Sequence, residues 1–323
     1  MRVRKRIAAI AIFLLFLCGC GNTELEDREF PTLLTVSDEA DFASEWLNGL
    51  QQGTKKLDYN HLKVIVIEQA FLENGERMAE MLALLKDDKN VPLNAYIVVT
   101  KSLKELVIGT EQLDEPLGDY LEKLLEHGDT VKKETYPTIG MFYQEDKNRK
   151  ETLFVPIVAL VKEKPEVTSY EVYKRGVTSG TVKSDVALLS FFIGNQLEEY
   201  LLQLEKEHYV RLSNSQNEIS FQEKRESSGL LRRQVVVDIS CDGKILKQTY
   251  NGEETAVEEG LDSQVKAYMT GKAREALENG IDVTNSFKKL GAERGWYQYY
   301  TRTPDFYEGE IEILFEMDID WVD

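Results

Sequence analysis

Two short runs of β-branched residues constrain this chain more than any other feature. Val64-Ile65-Val66-Ile67 and Tyr96-Ile97-Val98-Val99 are continuous rather than alternating, so each predicts a strand covered on both faces. Between them Met78, Met81, Leu82 and Leu85 fall at i, i+3, i+4 and i+7, the apolar stripe of a helix that Asn74 is placed to cap. Strand, helix and strand in so few residues read as a βαβ unit with parallel strands. Such a sheet needs helices on both faces, and the flanking sequence offers them. Ser37 heads a helix with Asp38, Glu39 and Asp41 in its first turn, Phe42, Trp46 and Leu50 on one face, and Gly53 as its stop. Ser102 and Glu105 form a capping box, and Leu117, Tyr120, Leu121 and Leu124 mark a further helix closed by Gly128. Pro31 to Val36 reads as a first strand.

The texture then changes. Leu153–Val161, Thr168–Tyr173 and Gly176–Ser190 are apolar and β-branched, broken by Pro156, Pro165 and Gly180, and predict a smaller, mostly β unit. Leu197, Tyr200, Leu201 and Leu204 have the spacing of an amphipathic helix leading into the C-terminal part. There Val235, Val237 and Ile239 alternate with Val236, Asp238 and Ser240, and Asp242-Gly243 reads as a hairpin turn into Lys244-Ile245-Leu246. A long helix is predicted from Leu261 to Glu278, with Val265, Tyr268, Met269, Ala273 and Ala276 on one face and Asn279-Gly280 ending it. The last strand is the most regular. Ile311, Ile313, Phe315, Met317, Ile319 and Trp321 point one way, and Glu310, Glu312, Glu316, Asp318 and Asp320 the other. The fold class is therefore mixed α/β and α+β. It comprises an N-terminal α/β domain containing the βαβ unit (31–135), a β-rich middle domain (136–194) and a C-terminal α+β domain (195–323) with an antiparallel sheet and a long helix.

The N-terminus decides where such a body would sit. Arg2, Arg4, Lys5 and Arg6 form a positive region, and Ile7 to Leu17 is an apolar run of signal-peptide length, too short for a stable span. It ends in Leu17-Cys18-Gly19-Cys20, which reads as a bacterial lipobox. Cys20 follows a small residue and becomes the acylated N-terminus, whereas Cys18 follows the bulky Leu17. Residues 1–19 are then a lipoprotein signal peptide and 20–30 a tether, with the membrane held through an N-terminal diacylglyceryl lipid. Losing the four basic residues takes the formal net charge from −18 to −22. That balance excludes nucleic acid as a partner and broad contact with anionic headgroups. Of three cysteines only Cys241 remains in the folded part, so no disulfide framework exists.

No catalytic motif is present: no phosphate loop, no nucleophile elbow, no His-Glu-x-x-His pair. His61, His127 and His208 are isolated in sequence and do not make a metal or catalytic cluster. The acids of the last strand are spread along one face rather than wrapped round a point, so they read as a solvated or partner-facing surface instead of a Ca²⁺ site. Trp296, Tyr297, Tyr299 and Tyr300 read as core packing. Neither a catalytic residue, a metal site nor a cofactor is expected.

Taken in order, these pieces resemble the Ger(x)C family of spore germination lipoproteins, the C subunits of nutrient germinant receptors. Glu24-Leu25-Glu26-Asp27 follows Cys20 much as an acidic segment follows the family's lipid cysteine. His61-Leu62-Lys63-Val64-Ile65-Val66-Ile67 is similar to the family's His-x-Lys-Val strand, and Asn94 to Lys101 with Lys104-Glu105-Leu106 to its next strand and helix. Gly176 to Gly194 is similar to the end of its second domain. Leu261–Glu278, Gly280-Ile281-Asp282-Val283 and the closing strand resemble its C-terminal helix, Gly-x-Asp and last strand. The usual Trp-Asp after the cysteine is replaced here by Gly21-Asn22. The resemblance implies a non-enzymatic subunit of three α/β domains on the outer face of the spore inner membrane, acting with A- and B-type membrane subunits. Only Cys20 carries over as a site residue. A solute-binding lipoprotein of an ABC transporter is the alternative that the βαβ unit leaves open.

Overall fold

The computed structural model describes residues 28–39, 41–44, 56–127, 131–148, 152–174, 176–204, 209–225, 231–246, 260–285 and 311–322. In chain order the elements are β1 (Arg28–Glu29), β2 (Leu33–Val36), β3 (Lys56–Leu57), β4 (Val64–Glu68), α1 (Gln69–Glu73), α2 (Gly75–Asp87), β5 (Tyr96–Thr100), α3 (Leu103–Gly109), α4 (Leu117–Glu126), α5 (Ile139–Asn148), β6 (Leu153–Val161), β7 (Lys164–Lys174), β8 (Val177–Lys183), α6 (Ser184–Ile193), β9 (Glu199–Gln203), β10 (Tyr209–Arg225), β11 (Leu231–Leu246), α7 (Leu261–Glu278) and β12 (Ile311–Trp321). They form a six-stranded sheet of order β2-β4-β5-β6-β7-β8, a four-stranded sheet of order β12-β11-β10-β9, and the small parallel pair β1-β3.

The β-branched runs behave as their composition requires. β2, β4, β5 and β6 are mutually parallel. Side chains alternate across a sheet, so the two runs are shared between two cores. Val64, Val66 and Val98 enter one, with Leu103 and Leu106 of α3 and Leu121 and Leu125 of α4. Ile65, Ile67, Ile97 and Val99 enter the other, with Met78, Met81, Leu82 and Leu85 of α2 and Phe142 of α5. The helix starts follow the capping residues. The Asn74 side chain accepts from the Arg77 N–H, and the Ser102 hydroxyl accepts from the Glu105 N–H.

The strand-rich stretch after Thr152 does not close into a sheet of its own. β6 pairs with β5 at Ile157, opposite Val99, and β7 and β8 follow antiparallel, so all three extend the parallel sheet. The β6–β7 turn is a two-residue connection in which Lys162 and Glu163 both have positive φ, 49° and 68°. That left-handed pair gives the hairpin twist usually supplied by Asn-Gly.

Three expectations are corrected. Ser184–Ile193, within a segment read as strand, is helix α6. Seven of its ten residues are buried and the other three are half-buried, so no exposed polar face marks its period. Leu197–Leu204, read as a helix, contains strand β9. Tyr200 and Leu202 point inward and Leu201 is 51% exposed, a period of two, and antiparallel pairing with Tyr209–Ser213 selects it over the helical alternative. Asp242-Gly243 is no turn, because β11 runs straight through it. A Cβ on Gly243 would stand 2.6 Å from Ile319 and 2.8 Å from the Trp321 ring. The glycine admits the neighbouring strand instead of bending its own.

The C-terminal sheet is mixed. β9, β10 and β11 are antiparallel, while β12 lies parallel to β11. Its inner face carries Val235, Val237, Ile239, Phe315 and Ile319, and α7 lays Val265, Met269, Ala273 and Ala276 against it. This face shares one apolar core with the α3–α4 side of the first sheet. Gly280, with φ 73°, ends α7 as expected.

Candidate functional site

Cys20 lies outside the described residues, as do His208, Glu310, the aromatic group at 296–300, and Trp46, Leu50 and Gly53 of the first expected helix, of which a helical turn at 42–44 is described. The described molecule offers three surfaces where function would be sought. These are the carboxyl edge of the parallel strands, their amino edge, and the acidic face of the second sheet.

The carboxyl edge is where open α/β sheets bind ligands, in the crevice beyond the strand ends. Here the chain's own side chains bridge it, and Asp38, Phe71 and Arg77 line a pocket of about 460 Å³ on its flank. Glu68 ends β4, and its carboxylate accepts the Asp38 N–H at 2.8 Å and the Leu103 N–H at 3.1 Å. The first amide of α3 and the loop after β2 are therefore satisfied internally. Arg77 closes the flank, with its guanidinium 2.8 Å from Asp38 and over the Phe71 ring at 4.5 Å. The next residue, Gln69, donates at 3.1 Å to Glu171, which is 1% exposed and also accepts from the Thr181 hydroxyl at 2.8 Å. Burial pushes the Glu171 carboxyl above its ordinary range. Nothing in sequence flagged Glu68, Gln69 or Glu171; a polar residue directly after a buried run was the available signal.

At the amino edge Lys63 precedes β4 and meets Asp119 at 2.8 Å and Glu122 at 2.6 Å on α4. The hydrogen bond it donates to Asp119, then that to Glu122, holds its ammonium protonated well above the ordinary lysine range. Tyr96, at the start of β5, donates to Glu126 at 3.3 Å, and its phenol is pushed up to about 12 by burial and by that carboxylate. Lys63, Tyr96, Glu122 and Glu126, with Lys133 and Glu134, line a groove of about 270 Å³. His61 stands beside it, edge-on to Phe30 at 5.1 Å. His127 caps α4 through its backbone N–H. Neither histidine approaches a convergent set of ligands, and among the described residues no group of His, Cys, Asp or Glu is arranged to hold a metal.

The second sheet presents the acidic face foreseen in β12. Glu218, Asp238 and Glu316 stand directly opposite one another across β10, β11 and β12, and Ser240 opposes Asp318. They border an open cleft whose lining includes Gln216. Directly opposed like charges weaken a sheet, so this row is tolerated for solvation or contact and does not contribute to the fold. Cys241 packs on the inner side, and burial pushes its thiol up to about 12, which leaves it unreactive. No described helix is long and apolar enough to cross a membrane.

Comparison with known proteins fits this picture. Residues 23–160 match the family model described as the spore germination protein N-terminal domain. The fold is similar to that in the crystal structure of the GerBC protein, with a TM-score of 0.59 at 10% identity, covering 81% of this chain and 79% of that one. No curated protein sequence matches.

Proposed function

Proceeding from a chain that belongs to the Ger(x)C spore germination proteins through its N-terminal domain, we propose that it is the non-catalytic, lipid-anchored C subunit of a nutrient germinant receptor. Cys20 carries the diacylglyceryl anchor on the outer face of the spore inner membrane, and the body meets the membrane-embedded A- and B-type subunits there. The match of residues 23–160 to the germination domain is the observation that carries the reading.

Two features of the chain support it. The crevice at the carboxyl edge, where a solute would bind, is bridged by Glu68, Asp38 and Arg77. The exposed faces are polar and acidic, as suits a body held at the membrane by its lipid and not by its surface. Function then lies in assembly, and the body is a rigid spacer and contact surface.

Germination of spores lacking this chain tests the reading. Loss of refractility is followed with nutrients and, separately, with an agent that bypasses the receptors. Failure with nutrients beside a normal response to the bypass is the expected result; a normal response to the whole nutrient set would overturn it.

A further inference from the structure

The position of the tether has a geometric consequence. We infer that the amino edge of the parallel sheet, where β2, β4 and β5 begin and the Lys63 groove opens, is the edge that faces the bilayer. This rests on the reading of Cys20 as the anchor.

Eight residue steps separate Cys20 from Arg28, the first described residue. Even fully extended they span at most about 29 Å. Arg28 is not placed at random on the body. β1 pairs with β3 below the parallel sheet, with Arg28 opposite Lys56 and Glu29 opposite Leu57. The chain then passes under the first strands, where the Thr32 carbonyl accepts the N–H groups of Lys63 at 3.0 Å and Val64 at 3.2 Å. Gly118 of α4 sits so close to Thr32 that a Cβ would stand 2.7 Å from its carbonyl oxygen. The tether therefore enters at a fixed point on the amino edge. The opposite edge is a strand length further off: β6 runs nine residues, from Leu153 near the level of Tyr96 to Val161 at the Lys162–Glu163 turn, a rise of about 26 Å over its eight steps.

The chemistry of the amino edge says how it meets that surface. Its exposed residues are polar apart from Phe30, which is 36% exposed and held against His61, and Leu93, which is 53% exposed in the loop before β5. Two separate apolar side chains do not make a wedge that inserts. Asp119, Glu122, Glu126 and Glu134 outnumber Lys63 and Lys133, and Lys63 is already paired. The edge therefore stands over headgroups without adhering to anionic ones. The surface it faces is the lipid in which its own anchor sits.

Energy transfer to the bilayer tests this. The full chain is purified from membranes with its anchor and placed in phosphatidylcholine vesicles carrying an acceptor dye on the headgroups. A donor dye is attached at either His61→Cys or Glu163→Cys, both exposed positions; Cys241 is buried and an acylated Cys20 does not react. Transfer from position 61 is expected to exceed that from 163 by roughly twofold or more, given a ~26 Å difference in height. Replacing a third of the lipid by phosphatidylglycerol is expected to leave transfer from 61 no higher. Equal or reversed transfer with Cys20 shown by mass to be acylated overturns the orientation alone. Vesicle binding by a chain whose Cys20 mass shows no lipid overturns the anchor reading and the orientation with it.

Discussion

The two sheets solve the burial problem in opposite ways. In the first, β4 and β5 lie between two helical layers, and every residue from Val64 to Ile67 and from Ile97 to Val99 is essentially inaccessible. In the second, β12 is buried on one side only: Ile313, Phe315 and Ile319 face the core while Glu316, Asp318 and Asp320 face solvent. The difference shows where each region can carry function. A sheet sealed on both faces has only its edges and loops to offer, whereas a one-sided sheet exposes a whole surface. The sealed sheet supplies the body's rigidity, and the open one supplies an acidic face.

Substitutions along single strands break this contrast most sharply. Ile65→Ala and Phe315→Ala each leave a cavity in a closed core and are expected to cost about 2–5 kcal/mol. Val66, next to Ile65, serves the opposite core, so Val66→Ala also destabilises. Glu316→Ala, next to Phe315, should fall within about 0.5 kcal/mol of zero. Urea denaturation of the four variants measures this, and a costly Glu316→Ala would mean that the acidic face is packed. Gly243→Val should cost roughly 1–3 kcal/mol, because its side chain would overlap Ile319 and Trp321; a neutral result would return Asp242-Gly243 to the role of a turn. Asn74→Ala removes the cap of α2 and is expected to lose about 1 kcal/mol of stability. Asp238→Asn relieves the row shared with Glu218 and Glu316 and should stabilise by about 0.2–1 kcal/mol at low salt, with the gain fading as salt is added.

The buried carboxyl of Glu171 gives a prediction of sign. Burial raises its native pKa, so between the ordinary carboxyl value and that raised value the folded chain holds a proton that the unfolded chain has lost. Stability from this group is therefore greatest in acid and falls as pH rises through that window. Glu171→Gln should flatten that slope in melts between pH 4 and 7. An unchanged slope would show that Glu171 is not the group responsible.

What was legible in the sequence followed the same contrast. The β-branched runs, the Asn74 cap with its four-residue apolar stripe, helix α7 and the alternation of β12 were all readable, because each couples a local period to a local start or stop. The misread elements lacked that coupling. α6 is apolar nearly all round, so its period is invisible. In β9 the spacing of Leu197, Tyr200, Leu201 and Leu204 fits a helix as well as a strand, and only its pairing with β10 decides. The Lys162–Glu163 turn adopts positive φ without glycine or asparagine, so it gave no turn signal, and the joining of β6 to β5 is a long-range pairing. Of the site, the acidic face could be read from alternation. The Lys63–Asp119–Glu122 cluster and the Glu68 bridge could not, since each brings together residues from separate elements.

The most direct test of the central claim is the germination of spores carrying Cys20→Ala. The account predicts that the variant chain no longer fractionates with the membrane and that the nutrient response is lost or strongly slowed, while the bypass response stays normal. Normal nutrient germination with a soluble, unacylated chain would contradict it.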